Sequence, residues 1–116
     1  MGSITIHKDH KWEEVQQRIR AQFNQEPDVK TALFLVGLRE TGRSKGKLKK
    51  EEKMDLMNIA FCRVVSESGY FTLAGKDAKG WPVYEQVKPI PDMKSSVQEQ
   101  FIRDHIIIYF QKENLI

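Results

Sequence analysis

The chain has 116 residues, 40% of them hydrophobic and 30% charged, with 19 basic and 16 acidic side chains and a net charge of +3. That length suits one domain, residues 1–116, which on folding buries roughly two thirds of the surface exposed by the unfolded chain. The positive excess is too small to imply nucleic acid by composition, no apolar run approaches the about 18 residues of a membrane span, and a single cysteine excludes an intrachain disulfide.

The first residues show no basic stretch followed by the about 7–15 apolar residues of a secretory signal. With Cys62 as the lone thiol, the cytoplasm is the expected compartment. Residues 3–7, Ser-Ile-Thr-Ile-His, alternate polar and β-branched side chains and predict a short strand. Trp12, Val15, Ile19 and Phe23 fall within about 80° of one another at helical spacing. They predict helix 1 over residues 12–24, with one apolar stripe, Asp9 as its cap and a Glu14 to Arg18 pair.

Glu26-Pro27-Asp28 breaks the chain, and helix 2 follows from Asp28 as cap to about Arg39, with Gly42 near its end. Residues 31–38, Thr-Ala-Leu-Phe-Leu-Val-Gly-Leu, are apolar around the whole circumference. This helix is therefore expected at the centre of the fold, buried on all sides. Residues 42–48 form a glycine-punctuated basic loop. Helix 3 then runs from about Lys49 to Ser66, with Met54, Leu56, Met57, Ala60, Phe61, Val64 and Val65 inward and Gly69 as its stop.

Aromatic and β-branched residues at 70–74 and 81–87, separated by Gly75-Lys76-Asp77-Ala78-Lys79-Gly80, predict a hairpin with a six-residue turn. Ser95 and Ser96, with Gln98 and Glu99 three residues on, signal a capping box for helix 4. Cap and length favour helix over strand for residues 106–110. The fold class is α+β, mainly helical: four helices around a central buried helix 2, one β-hairpin between helices 3 and 4, and residues 3–7 available as a third short strand. The order of elements is that of a winged helix, a likeness of topology without diagnostic residues.

Few motifs point to chemistry. Gly42 and Gly46 are separated by three residues where a phosphate-binding loop has four, and Leu48 follows Lys47 where that loop has Ser or Thr. His7, Asp9 and His10, with Glu13 and Glu14, match no zinc spacing, so neither metal nor cofactor is expected. His105 falls on the apolar face of helix 4 amid Phe101, Ile102, Ile108 and Tyr109, the setting of a hydrogen-bonded core histidine. Cys62, without a base in reach, reads as an inert thiol. No catalytic constellation emerges, and an enzyme is not expected.

Two surfaces remain. If Phe101, Ile102, Ile108 and Tyr109 serve the core, Ile107 and Phe110 point elsewhere. A second exposed apolar face on helix 4 predicts a protein partner or a homodimer. The leading expectation is thus a small, non-catalytic cytoplasmic interaction module that does not engage membranes. The alternative is a nucleic-acid-binding module, because Arg43, Lys45, Lys47, Lys49, Lys50 and Lys53 lie within eleven residues and Lys76 and Lys79 sit at the hairpin tip. Helix 3 itself is not expected to read bases, since its outward face carries Glu51, Glu52 and Asp55 with Asn58, Ile59, Cys62 and Arg63.

Overall fold

Asp28 and Gly42 bracket the helix on which the other elements pack. Asp28 Oδ1 accepts the Thr31 backbone N–H at 2.8 Å, satisfying one of the donors left free at the helix start. Gly42 closes the other end in the left-handed region, φ 71°, and donates its N–H to the Leu38 carbonyl. The computed structural model describes residues 3–23 and 27–116, without the side chains of residues 3–9, 23 and 45. The elements are α1 (Ser3–Phe23), α2 (Val29–Thr41), a 3-10 turn (Lys45–Lys47), α3 (Lys50–Ser66), β1 (Phe71–Lys76), β2 (Pro82–Gln86) and α4 (Ser95–Lys112). This is the mainly helical α+β arrangement expected, with the hairpin between α3 and α4.

The core joins Trp12, Val15 and Ile19 of α1 to five apolar residues of α2, Ala32, Leu33, Leu35, Val36 and Leu38. Leu56, Ala60, Val64 and Val65 of α3 and Ile106, Ile107, Tyr109 and Phe110 of α4 complete its helical part. α2 touches all three other helices. Phe34 departs from the expected all-round burial, because it is only partly buried, packed against the core beside Thr31 and Met57. No helix among the described residues is long and apolar enough to cross a membrane.

The structure corrects further local expectations. Residues 3–7 are helical, and the sheet contains β1 and β2 alone among the described residues. A helix already nucleated over Trp12 to Ile19 extends at one hydrogen bond per added residue, whereas a third strand needs a ladder to join. Asp9 consequently lies within α1 and does not cap it, and Asn24 lies outside the described residues. At α4, Lys94 is the N-cap and no side chain caps it, so Ser95 and Ser96 belong to the first turn.

Ile107 and Phe110 are 7% and 0% exposed, contrary to the outward face expected of them. α4 packs against α1, α2 and α3 at once, which covers both apolar sides of its second half, and the large apolar residues it leaves exposed are Val97, at 52%, and Ile108, at 37%. A further correction concerns α3, where Met54, expected to face inward, is 63% exposed. The hairpin folds back onto the helix, with Phe71 edge-on to Phe61 at 6.5 Å, and covers part of the face on which Ile59, Cys62 and Arg63 were expected to be exposed.

Candidate functional site

Asp77 organises the tip of the hairpin. Its carboxylate accepts the backbone N–H groups of Lys79 at 2.9 Å and Trp81 at 3.0 Å, and its own N–H donates to the Trp81 carbonyl at 2.9 Å. A short polar side chain that replaces backbone partners in this way is what makes Asp effective in turns. The turn leaves Trp81 only 4% exposed, with the Lys79 ammonium over its ring at 4.8 Å. The Arg43 guanidinium lies over the same ring at 5.6 Å. Cation–π attraction of this kind contributes about 0.5–2 kcal/mol per contact, more as the site loses water.

Arg43 is held a second time, by Glu52 at 2.8 Å. The other Glu52 oxygen accepts the Lys49 N–H at 3.1 Å, the carboxylate half of a capping box. Bonding from Lys49 and Arg43 holds the Glu52 carboxyl below its ordinary pKa, and the nearby Lys79 charge adds to this. The loop before α3, the first turn of α3 and the hairpin tip therefore meet at Trp81. Lys47, Lys49, Lys50 and Lys53, along the loop and the start of α3, and Lys76 and Lys79, on the hairpin, are all exposed. Arg43, grouped with them in the sequence, is committed to Trp81 and Glu52, while the side chain of Lys45 lies outside the described residues. Glu51 and Asp55 are exposed acids on the same helix.

A second polar assembly, not visible in the sequence, joins the ends of α2, α3 and α4. The Tyr109 hydroxyl donates to Glu40 at 2.8 Å and accepts from Arg39 Nε at 3.3 Å. Arg39 also pairs with Glu113 at 3.0 Å, Arg63 with Glu67 at 2.6 Å, and Lys112 with Glu67 at 2.9 Å. Arg63 lies over the Tyr109 ring at 4.9 Å. The spacing of Arg63 and Glu67, four residues apart on a helix, was the one local signal. Cations Arg39, Arg63 and Lys112 match carboxylates Glu40, Glu67 and Glu113 in number, which leaves no net charge to attract a ligand.

His105, 7% exposed, is hydrogen-bonded as expected: Nδ1 lies 2.8 Å from the Phe101 carbonyl and Nε2 2.7 Å from Ser68 Oγ. A carbonyl only accepts, so Nδ1 carries the proton and the Ser68 hydroxyl donates to Nε2. A serine held this way by an oriented histidine begins to look like a nucleophile and its base. The nearest backbone donors are already spent, however, Ser68 N–H on Val65 and Gly69 N–H on Ser66, so no oxyanion hole accompanies the pair. Burial raises the Cys62 thiol above its ordinary pKa, which suits an unreactive side chain. Among the described residues no group of three or more His, Cys, Asp or Glu could hold a metal ion.

None of the family models, curated proteins or solved structures compared with this chain matches it.

Proposed function

We propose that this chain binds the phosphate backbone of nucleic acids through the loop and first turn around Lys47 to Lys53 together with the hairpin tip. The observation that carries the reading is Trp81: with Arg43 and Lys79 both over its ring, it ties two segments far apart in sequence into one basic surface. Glu52 is neutralised by Arg43, and Asp77 is spent on its own turn, so neither carboxylate stands free to repel phosphate. Exposed lysines without a base-reading helix suit sequence-independent contact, in which affinity comes from counterion release.

The test is fluorescence anisotropy on labelled duplex and single-stranded oligonucleotides over about 50–200 mM salt. Four to six phosphate contacts give a log–log slope of roughly −3 to −5, and replacing Lys47, Lys49, Lys50 and Lys79 by alanine should flatten it by about 3. Absence of binding to either form at low salt removes the reading.

A second reading, protein binding or self-association, moves away from Ile107 and Phe110, which the core encloses. It is favoured by the hairpin, where Leu73, Val83 and Val87 are large apolar side chains exposed to solvent. Light scattering across a wide concentration range tests it: dimers dispersed by Val87→Asp support it, and a monomer throughout excludes self-association.

A further inference from the structure

Among the described residues every aromatic side chain is buried or partly buried. Trp81, beside the lysines, is 4% exposed and carries Lys79 and Arg43 over its ring, and Phe34, near Lys53, is packed against the core. What these segments offer a ligand is therefore charge, not stacking. We infer that the ligand is a double helix and not a single strand, and that Lys30 of α2 is one of the groups holding its phosphates; the inference rests on the phosphate-binding reading above.

Sequence-tolerant binding of a single strand relies on stacking its bases on aromatic rings, and here the rings are already engaged. Charge alone favours the duplex, which carries one phosphate per about 1.7 Å of axis and releases about 0.9 counterions for each contact, against about 0.7 for a strand. The lysines, moreover, lie on separate elements joined by contacts. Lys79 of the hairpin is coupled through Trp81 and Arg43 to Glu52, in the first turn of α3. Lys53, one turn on from Lys49, lines a surface depression together with Lys30 of α2. Cations spread over the hairpin, α3 and α2 suit two phosphate backbones facing each other across a groove better than a single thread. The free acids of α3 are turned away from them: at helical spacing Glu51 and Asp55 stand about 100–160° round the helix from Lys50 and Lys53. Asp28, the carboxylate closest in sequence to Lys30, accepts the Thr31 N–H.

The test is fluorescence anisotropy with the full chain on labelled duplexes of about 20 base pairs, one of DNA and one of RNA, and on their separate strands, over about 50–200 mM salt. At about 50 mM salt a duplex should bind about tenfold more tightly than either of its strands, with a steeper salt slope. Lys30→Ala, at an exposed position outside the core, should lower the duplex slope by about 0.9, with the circular dichroism spectrum unchanged. Preference for either duplex over its strands supports the inference, and the tighter of the two shows whether the helix is DNA or RNA. Strands bound as tightly as both duplexes, or more tightly, overturn the double helix as the ligand. If the variant with alanine at Lys47, Lys49, Lys50 and Lys79 loses strand binding in that case, the phosphate-binding reading stands. A duplex slope unchanged in Lys30→Ala overturns the part given to Lys30. No binding of any oligonucleotide removes both readings.

Discussion

A β-carbon placed on Gly37 would come within 2.6 Å of the Leu56 carbonyl oxygen and 3.0 Å of the Leu56 β-carbon. α2 and α3 thus approach backbone to backbone at the centre of the core, and glycine is what allows it. Alanine would ordinarily stabilise a helix interior by about 1 kcal/mol over glycine. At position 37 the sign reverses, since the obstruction is backbone and the helices must part. Gly37→Ala should cost about 2–3 kcal/mol in urea unfolding, whereas Gly46→Ala, with nothing within 4 Å of the added carbon, should be near neutral. Equal midpoints for the two variants would mean that α2 and α3 separate freely.

Ser68 and His105 supply the next prediction. With Nδ1 held by the Phe101 carbonyl, Nε2 depends on the Ser68 hydroxyl. Ser68→Ala leaves a buried acceptor unpaired and should cost about 1–3 kcal/mol. His105→Gln keeps a polar group near the Nε2 position but should lose the Nδ1 bond to the Phe101 carbonyl and the ring contacts with Tyr70 and Phe101. A Ser68→Ala protein as stable as the parent would show that water replaces the hydroxyl without cost.

Local signals account for what could be read in advance. Asp28 and Gly42 cap α2 because capping depends on residues within one turn, and the hairpin follows from its own composition. What could not be read depends on elements distant in sequence. The 100° spacing of α4 shows two apolar sides, but it cannot show that α1, α2 and α3 converge on it and bury Ile107 and Phe110. Likewise the composition of α3 cannot reveal that the hairpin folds onto Ile59, Cys62 and Arg63. The basic cluster was visible as charge, yet the sequence does not separate Arg43, which holds Trp81 and Glu52, from the lysines left facing solvent.

Acid should weaken the fold through Glu52 and Glu67. Bonds from Lys49 and Arg43 hold the Glu52 carboxyl below 4.5. For Glu67, burial works the other way, but Arg63 and Lys112 outweigh it and the carboxyl is again held below 4.5. A carboxyl more acidic in the folded than in the unfolded chain contributes stability above the unfolded value, and that contribution is lost as pH falls through the folded one. Urea midpoints should therefore hold steady above pH 4.5 and decline below it. In Glu67→Gln the decline should be shallower. An identical acid limb in parent and variant would contradict the Arg63 and Lys112 pairing.

Alkali acts through Tyr84 and Tyr109, both pushed up from 10.0 to about 12, in each case chiefly by burial. Glu40 adds to both, through its charge at Tyr84 and also by accepting the Tyr109 hydroxyl, while the bond from Arg39 to Tyr109 opposes the rise. A phenol whose folded pKa is raised favours the folded state fully below pH 10, and that contribution is lost as pH rises from 10 to about 12. Phenolate absorbance should accordingly show two tyrosines ionising late, together with loss of the folded circular dichroism signal. Tyr109→Phe should remove one of the late phenols. It should also cost about 1–2 kcal/mol at neutral pH, because Glu40 and Arg39 lose their shared partner at the junction of α2 and α4. If every phenol instead titrates near pH 10 while the fold persists, Tyr109 is not enclosed by the helix ends as described, and the network around Glu40 is open to water.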